Sequence, residues 1–135
     1  NVDISNLTID ITPQYSNSKI HIHCDVMVCA GSYVAQVVLM RDSTEIYKAD
    51  AAGSRPITAI SIAHPPSGDG TSQRSSATFI DSPATTSAIT YKLMARDRPD
   101  AGADGCFVNR SEQNRDTVNY DGYGSSSITV MEIKV

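Results

Sequence analysis

Tryptophan is absent from this 135-residue chain, phenylalanine occurs only twice, and no run of about eighteen apolar residues interrupts it. The last absence excludes a membrane-spanning helix, which needs roughly that many apolar residues in succession. Eleven basic residues stand against 15 acidic ones, a formal charge of −4 at neutral pH. Without a basic surplus the chain has no electrostatic footprint for a phosphate backbone, so nucleic acid is not expected as a partner. Asn1 opens no positively charged, apolar leader, so neither a signal peptide nor membrane insertion is expected. A chain beginning on Asn is expected to be cut from a longer protein or processed out of one.

Cysteine is scarce and odd in number: Cys24, Cys29 and Cys106, with no C-x-x-C pair. That spacing removes the common zinc and redox signatures. Cys24 and Cys29 differ in parity on what reads as one strand, so their side chains leave opposite faces and are not placed to bond to each other. Reduced, packed thiols are expected, as in a protein assembled in a reducing cytoplasm.

Catalytic patterns are missing as well. Glu45, Glu112 and Glu132 are the only glutamates, and neither a Gly-x-Ser-x-Gly elbow nor a Ser/His/Asp set at recognisable spacing is present. Hydrolysis needs two carboxylates on one substrate, or a nucleophile with its base. His64, followed by two prolines, reads as a turn residue. Asp97, Asp100 and Asp104 lack the spacing and closing Glu of a calcium loop. An enzyme is not expected.

What the chain does have is Val, Ile, Thr and Ser in alternation, a composition suited to pleated sheet. Leu7, Ile9 and Ile11 alternate with Thr8 and Asp10 before Pro13. Ile20, Ile22, Cys24, Val26 and Val28 line one face of a long strand, with His21, His23, Asp25 and Met27 on the other. Tyr33 to Arg41 is apolar on both faces apart from Gln36, as a central strand buried on both sides would be. Shorter strands are expected at Thr44 to Lys48, around Ile57, Ile60 and Ile62, at Ala77 to Ile80, Ile89 to Ala95, Phe107 to Val108 and Ile128 to Val135. Eight or nine short strands predict one all-β domain over 1–135, an antiparallel β-sandwich of jelly-roll-like type. Met27, Met94, Met131, Ile133 and Val135 fall on outer strand faces, which predicts burial against other subunits, and closed cyclic symmetry makes a homotrimer one expected outcome.

Two constellations stand out as candidate sites. In H-I-H-C-D, His21 and His23 share a strand face roughly 6–7 Å apart, with Asp25 one step further. On a threefold axis such a pair would gather six imidazole nitrogens around a transition metal; otherwise the two rings face solvent or a neighbouring subunit. No other cofactor is expected. Three long loops, His64 to Arg74, Asp97 to Gly105 and Ser111 to Ser125, are the expected carriers of recognition. The last contains N-Y-D-G-Y-G, in which Tyr120 and Tyr123 offer flat faces and Asn114, Asn119 and Asp121 offer hydrogen bonds to a glycan or a protein. The competing reading is a Gly-rich turn whose tyrosines pack back onto the sandwich.

Several segments also resemble one family. A strand running into D-S-P-A-T-T-S-A from Asp81, then T-Y-K from Thr90, N-R-S from Asn109 and the closing S-S-I-T-V-M-E-I resemble the carboxyl-terminal domain of tailed-bacteriophage fibre proteins. I-T-P at Ile11, S-K-I at Ser18 and L-M-R-D-S-T-E-I at Leu39 extend the resemblance over most of the chain, while the stretches from Ala63 to Arg74 and from Arg96 to Gly105 have no counterpart. The resemblance implies the end of a longer fibre protein, made in the host bacterial cytoplasm, trimeric, exposed on the virion beside other virion proteins, and attached to a bacterial cell-surface glycan or protein. It supplies no catalytic residue. A capsid decoration or tail-assembly protein without receptor binding is the alternative that the architecture allows.

Overall fold

The computed structural model describes residues 1–31, 33–63, 71–96, 105–119 and 121–135. Among these there is no helix, and nine strands form two antiparallel sheets. The first sheet holds β1 (Val2–Ile11), β7 (Ile89–Ala95) and β3 (Val34–Arg41) in that order. On the far edge of β3, β4 (Thr44–Ile46) pairs with one half and β5 (Ile60–Ala63) with the other. The second sheet is built on the long β2 (Lys19–Ala30). Its one edge carries β6 (Gln73–Asp81), and its other edge is shared by β9 (Ser127–Ile133) and β8 (Cys106–Val108).

The alternation in β2 is realised in the fold. Ile20, Ile22, Cys24, Val26 and Val28 are buried and meet Val37, Leu39, Tyr91, Leu93, Ile60 and Ile62 of the opposite sheet in one core. Both sheets thus turn an apolar face inward, a sandwich-like arrangement in which burial of β-branched and leucine side chains is the driving term. Cys24 lies in that core, its thiol pushed up to about 11 by burial, and all three cysteines are free.

Central placement explains β3. Ala35, Val37 and Leu39 face the core, while Gln36, Val38 and Met40 are buried although they lie on the outer side. Arg96, whose N–H donates to the Gln36 carbonyl, and Asn1 both reach Glu45, the register partner of Met40. The Arg96–Glu45 ion pair therefore crosses β3 above Val38 and shields an apolar strip that would otherwise be wet.

Several strand limits differ from the sequence reading. β5 begins at Ile60 and leaves Ile57 outside, β9 runs from Ser127 to Ile133 and stops short of Val135, and β3 and β8 shift by one residue at their starts. Three further differences have a local cause. β6 begins at Gln73 rather than Ala77, because Ser75 and Ser76 continue the register with β2 and Arg74 is anchored on Asp25 and on the Ser125 carbonyl. β4 stops at Ile46, before Tyr47 takes a positive φ of 52°. β1 runs back to Val2 through a register shift between Asp3 and Thr8, where Asn6 adopts φ 65° and lets both Ile4 and Leu7 face the core.

The two sheets are tied at one end by Asp81. Arg41 donates two hydrogen bonds of 2.9 Å to its carboxylate, and the buried Tyr91 hydroxyl donates another of 2.7 Å. Short connections occupy this end: residues 12–18, 42–43 and 82–88. The opposite end is bounded by Ala30, Val34, Ala63, Gln73, Ala95 and Cys106, so the strand termini flanking two of the long loops converge there. The third loop leaves and rejoins the sheet a little further in, at Val108 opposite Val28 and Ser127 opposite Asp25.

Candidate functional site

The Ser111–Ser125 loop is organised around a carboxylate. Ser111 Oγ donates to Asp121 Oδ1 at 2.5 Å, while the backbone N–H and the Nε of Arg115 both donate to Oδ2 at 2.8 Å. Ser111 Oγ in turn accepts the Asn114 N–H, and the Tyr123 hydroxyl donates to Asn114 Oδ1. Asn114 holds φ 49°, a conformation that asparagine tolerates better than most residues. The loop base is fastened to β2. Asn109 N–H donates to the Met27 carbonyl, and Ser126 Oγ accepts the Met27 N–H and donates to Asn109 Oδ1. Arg110 stacks 4.3 Å from the centre of the Phe107 ring and donates to the carbonyls of Ser111 and Glu112.

This network supports an open cleft of about 440 Å³ lined by Asn114, Arg115, Asp116, Val118, Asp121 and Tyr123, among others. Its volume falls in the range of small-molecule clefts, roughly 300–1,000 Å³. Tyr123 is 76% exposed and Val118 100% exposed, so two apolar groups stand in water at the cleft wall. The reading in which the loop tyrosines pack back onto the sandwich does not hold for Tyr123. Its hydroxyl is held within the loop while its ring stays open to solvent.

The remaining sequence candidates are placed differently. Asp121 has a side chain only 6% exposed and is spent on the loop's own frame. Asn119 is exposed, with its N–H toward Thr117 Oγ1 at 3.4 Å, and does not line the cleft. Tyr120 lies outside the described residues, as do His64, Asp97, Asp100 and Asp104. Arg115 and Asp116, which line the cleft, were missed because nothing in their spacing separates them from ordinary loop charges.

Bonds from Arg115 and Ser111 hold the Asp121 carboxyl down at about 2, below the usual value of about 3.9. A carboxyl lowered by folding stabilises the folded loop fully above its unfolded pKa and loses that contribution as pH falls through its folded one. The loop is therefore expected to be intact at pH 5 and to open between pH 4 and 2. The check is the chemical shift and amide exchange of Ser111, Asn114 and Arg115, with Asp121→Asn expected to show the opened pattern already at neutral pH.

His21 and His23 do share the outer face of β2, as the period of two requires. His23 Nδ1 is hydrogen bonded with Thr78 Oγ1 at 3.0 Å, and Asp25 is committed to Arg74. Among the described residues no three His, Cys, Asp or Glu side chains come together as a metal site. Ile80 and Met131 are the register partners of His21 on the two flanking strands, and Ile133 lies two residues beyond Met131. All three are exposed, Met131 by 57%. This apolar patch sits on the face opposite the core, near the short-turn end, roughly 20 Å along β2 from Met27 and the loop base. Of the methionines read as outer, Met27 and Met94 are half-buried within the domain itself.

Comparison with known protein families, with curated proteins and with solved structures finds no match to this chain.

Proposed function

We propose that this chain is a terminal domain of a bacteriophage tail fibre, assembled as a homotrimer and attaching the virion to a bacterial surface. The observation that carries this reading is the division of labour along β2: an organised, solvent-open cleft at one end and an exposed apolar patch at the other. A binding loop on a rigid sheet is the usual way in which a scaffold presents recognition. An exposed apolar strand face suits contact with further copies. The chain path supports a jelly-roll-like winding, since it changes sheet at the β1–β2, β2–β3, β5–β6, β6–β7 and β7–β8 connections. Three weak loop sites held on one trimer, multiplied by several fibres, would bind by avidity without a tight single contact.

Two measurements test the proposal separately. Native mass of the domain is expected to be three chains, falling to one in the double variant Ile80→Glu, Met131→Glu, because carboxylates on that face would have to be desolvated on assembly. A mass unchanged by the double variant would remove the patch from the interface. Purified domain is also expected to compete with intact phage for adsorption to host cells, and an antibody to it should mark fibre ends. Labelling of the head surface, with no competition, would instead favour a capsid decoration protein.

A further inference from the structure

Resting on that attachment reading, we infer that the cleft of the Ser111–Ser125 loop takes an uncharged saccharide, with one pyranose ring laid on Tyr123. A pyranose presents a patch of C–H groups on one face and hydroxyls around its rim. The C–H patch suits the electron-rich face of an aromatic ring. Tyr123 supplies such a ring, mostly exposed, and its hydroxyl bond to Asn114 Oδ1 fixes its tilt before any ligand arrives. That bond also settles the orientation of Asn114, whose Oδ1 is used and whose two Nδ2 hydrogens remain as donors toward vicinal hydroxyls. Asp116 adds a carboxylate acceptor on the same wall, and the exposed methyls of Val118 extend the apolar surface.

Charge selects against acidic sugars. The cleft wall contains one cation, Arg115, and it is paired with Asp121, leaving Asp116 as the uncompensated charge among the lining residues. A sialic acid, a uronic acid or a phosphorylated sugar would bring a second negative charge beside Asp116. A neutral hexose or N-acetylhexosamine brings none. A protein loop is the less favoured occupant, because the cleft is open and its two apolar groups stand in solvent rather than forming a desolvated anchor pocket.

The test uses the full chain and simple probes: methyl glycosides of glucose, galactose, mannose and N-acetylglucosamine, with glucuronic and N-acetylneuraminic acids as charged controls. Saturation-transfer NMR and the side-chain resonances of Tyr123 and Asn114 report binding. At least one neutral glycoside is expected to bind with Kd on the order of millimolar, as suits a single ring. Tyr123→Ala should weaken it by roughly tenfold or more, whereas Tyr123→Phe, which keeps the ring and loses the Asn114 bond, should weaken it only a few-fold. Unchanged circular dichroism and melting temperature exclude a folding defect. Binding by none of the neutral probes, binding that survives Tyr123→Ala, or a preference for the acids overturns the inference. Adsorption of labelled domain to a panel of intact bacteria separates the two claims. Adsorption that persists in Tyr123→Ala without saccharide binding sinks the saccharide site and leaves attachment standing. Tyr123-dependent saccharide binding by a domain that adheres to no bacterium does the reverse.

Discussion

Replacing Asp81 with alanine is expected to lower the unfolding free energy by about 2–4 kcal/mol. The carboxylate takes two hydrogen bonds from Arg41 and one from Tyr91, and it lies on β6 while both donors lie on the other sheet. Its removal leaves the Tyr91 hydroxyl, buried and without its acceptor, beside a cation that has lost its counter-charge. Loss of a buried pair's partner costs about 3–5 kcal/mol, but the Arg41 side chain is 30% exposed and water recovers part of that. Asp81→Asn should lose less, since the amide oxygen still accepts one donor, and Tyr91→Phe less again, since it removes a donor without stranding one. Urea denaturation of the three variants should give that order. Equal losses in all three would mean that the cost arises from packing rather than from the polar clasp.

Alanine at Gly124 is expected to cost about 1–3 kcal/mol through overpacking. A Cβ at this position would stand 1.9 Å from Met27 Sδ, and Gly124 N–H is bonded to the Asn109 carbonyl, so either the Met27 side chain swings aside or the loop base is disturbed. Because the obstacle is a flexible side chain, Met27→Ala in the same chain should recover much of the loss. The double-mutant cycle should therefore show a favourable coupling between the two alanines. Loss of the loop's hydrogen-bond pattern in Gly124→Ala, read from Ser111 and Asn114 resonances, should accompany the fall in stability. Strict additivity of the two substitutions would count against the steric cause.

The strands were legible because period two leaves little freedom. β2, β3 and β7 alternate, or are buried on both sides, where the residues say so, since a slip by one would turn Ile20, Ile22 and Val26 into water. Polar stretches read less well. Gln73 to Ser76 looks like loop by composition, yet it pairs with β2 because Arg74 finds Asp25 across the strand. The clasp at Asp81 was invisible for a similar reason: its partners are 40 and 10 residues away, and only the closing of two sheets brings them together. In the loop, the aromatic character of Tyr123 was readable, but the role of Asp121 was not. A carboxylate that builds the site and one that touches a ligand have the same sequence, and the difference lies in the Ser111 and Arg115 donors that face it.

In the proposed fibre, a particle held at a cell would be pulled by flow and by the motion of the cell, and the path of the chain from loop to patch sets how this domain would meet such a load. The loop base is fastened at Met27, while the apolar patch lies around His21 of the same strand. With the patch held in an assembly and the loop held by a receptor, tension would enter β9 directly, because the loop continues into Ser127 and β9 carries Met131 and Ile133 of the patch. Drawing β9 out would then require it to slide past β2 from Lys19↔Ile133 to Asp25↔Ser127. Those hydrogen bonds resist in shear and share the force, whereas a pull across the sheet would peel them one after another. Rupture under force is governed by the unfolding rate rather than by equilibrium stability. In the proposed fibre, β9 laid along the long β2 would therefore act as a mechanical strut, and a tethered domain should yield at its contact with the receptor before β9 leaves its sheet.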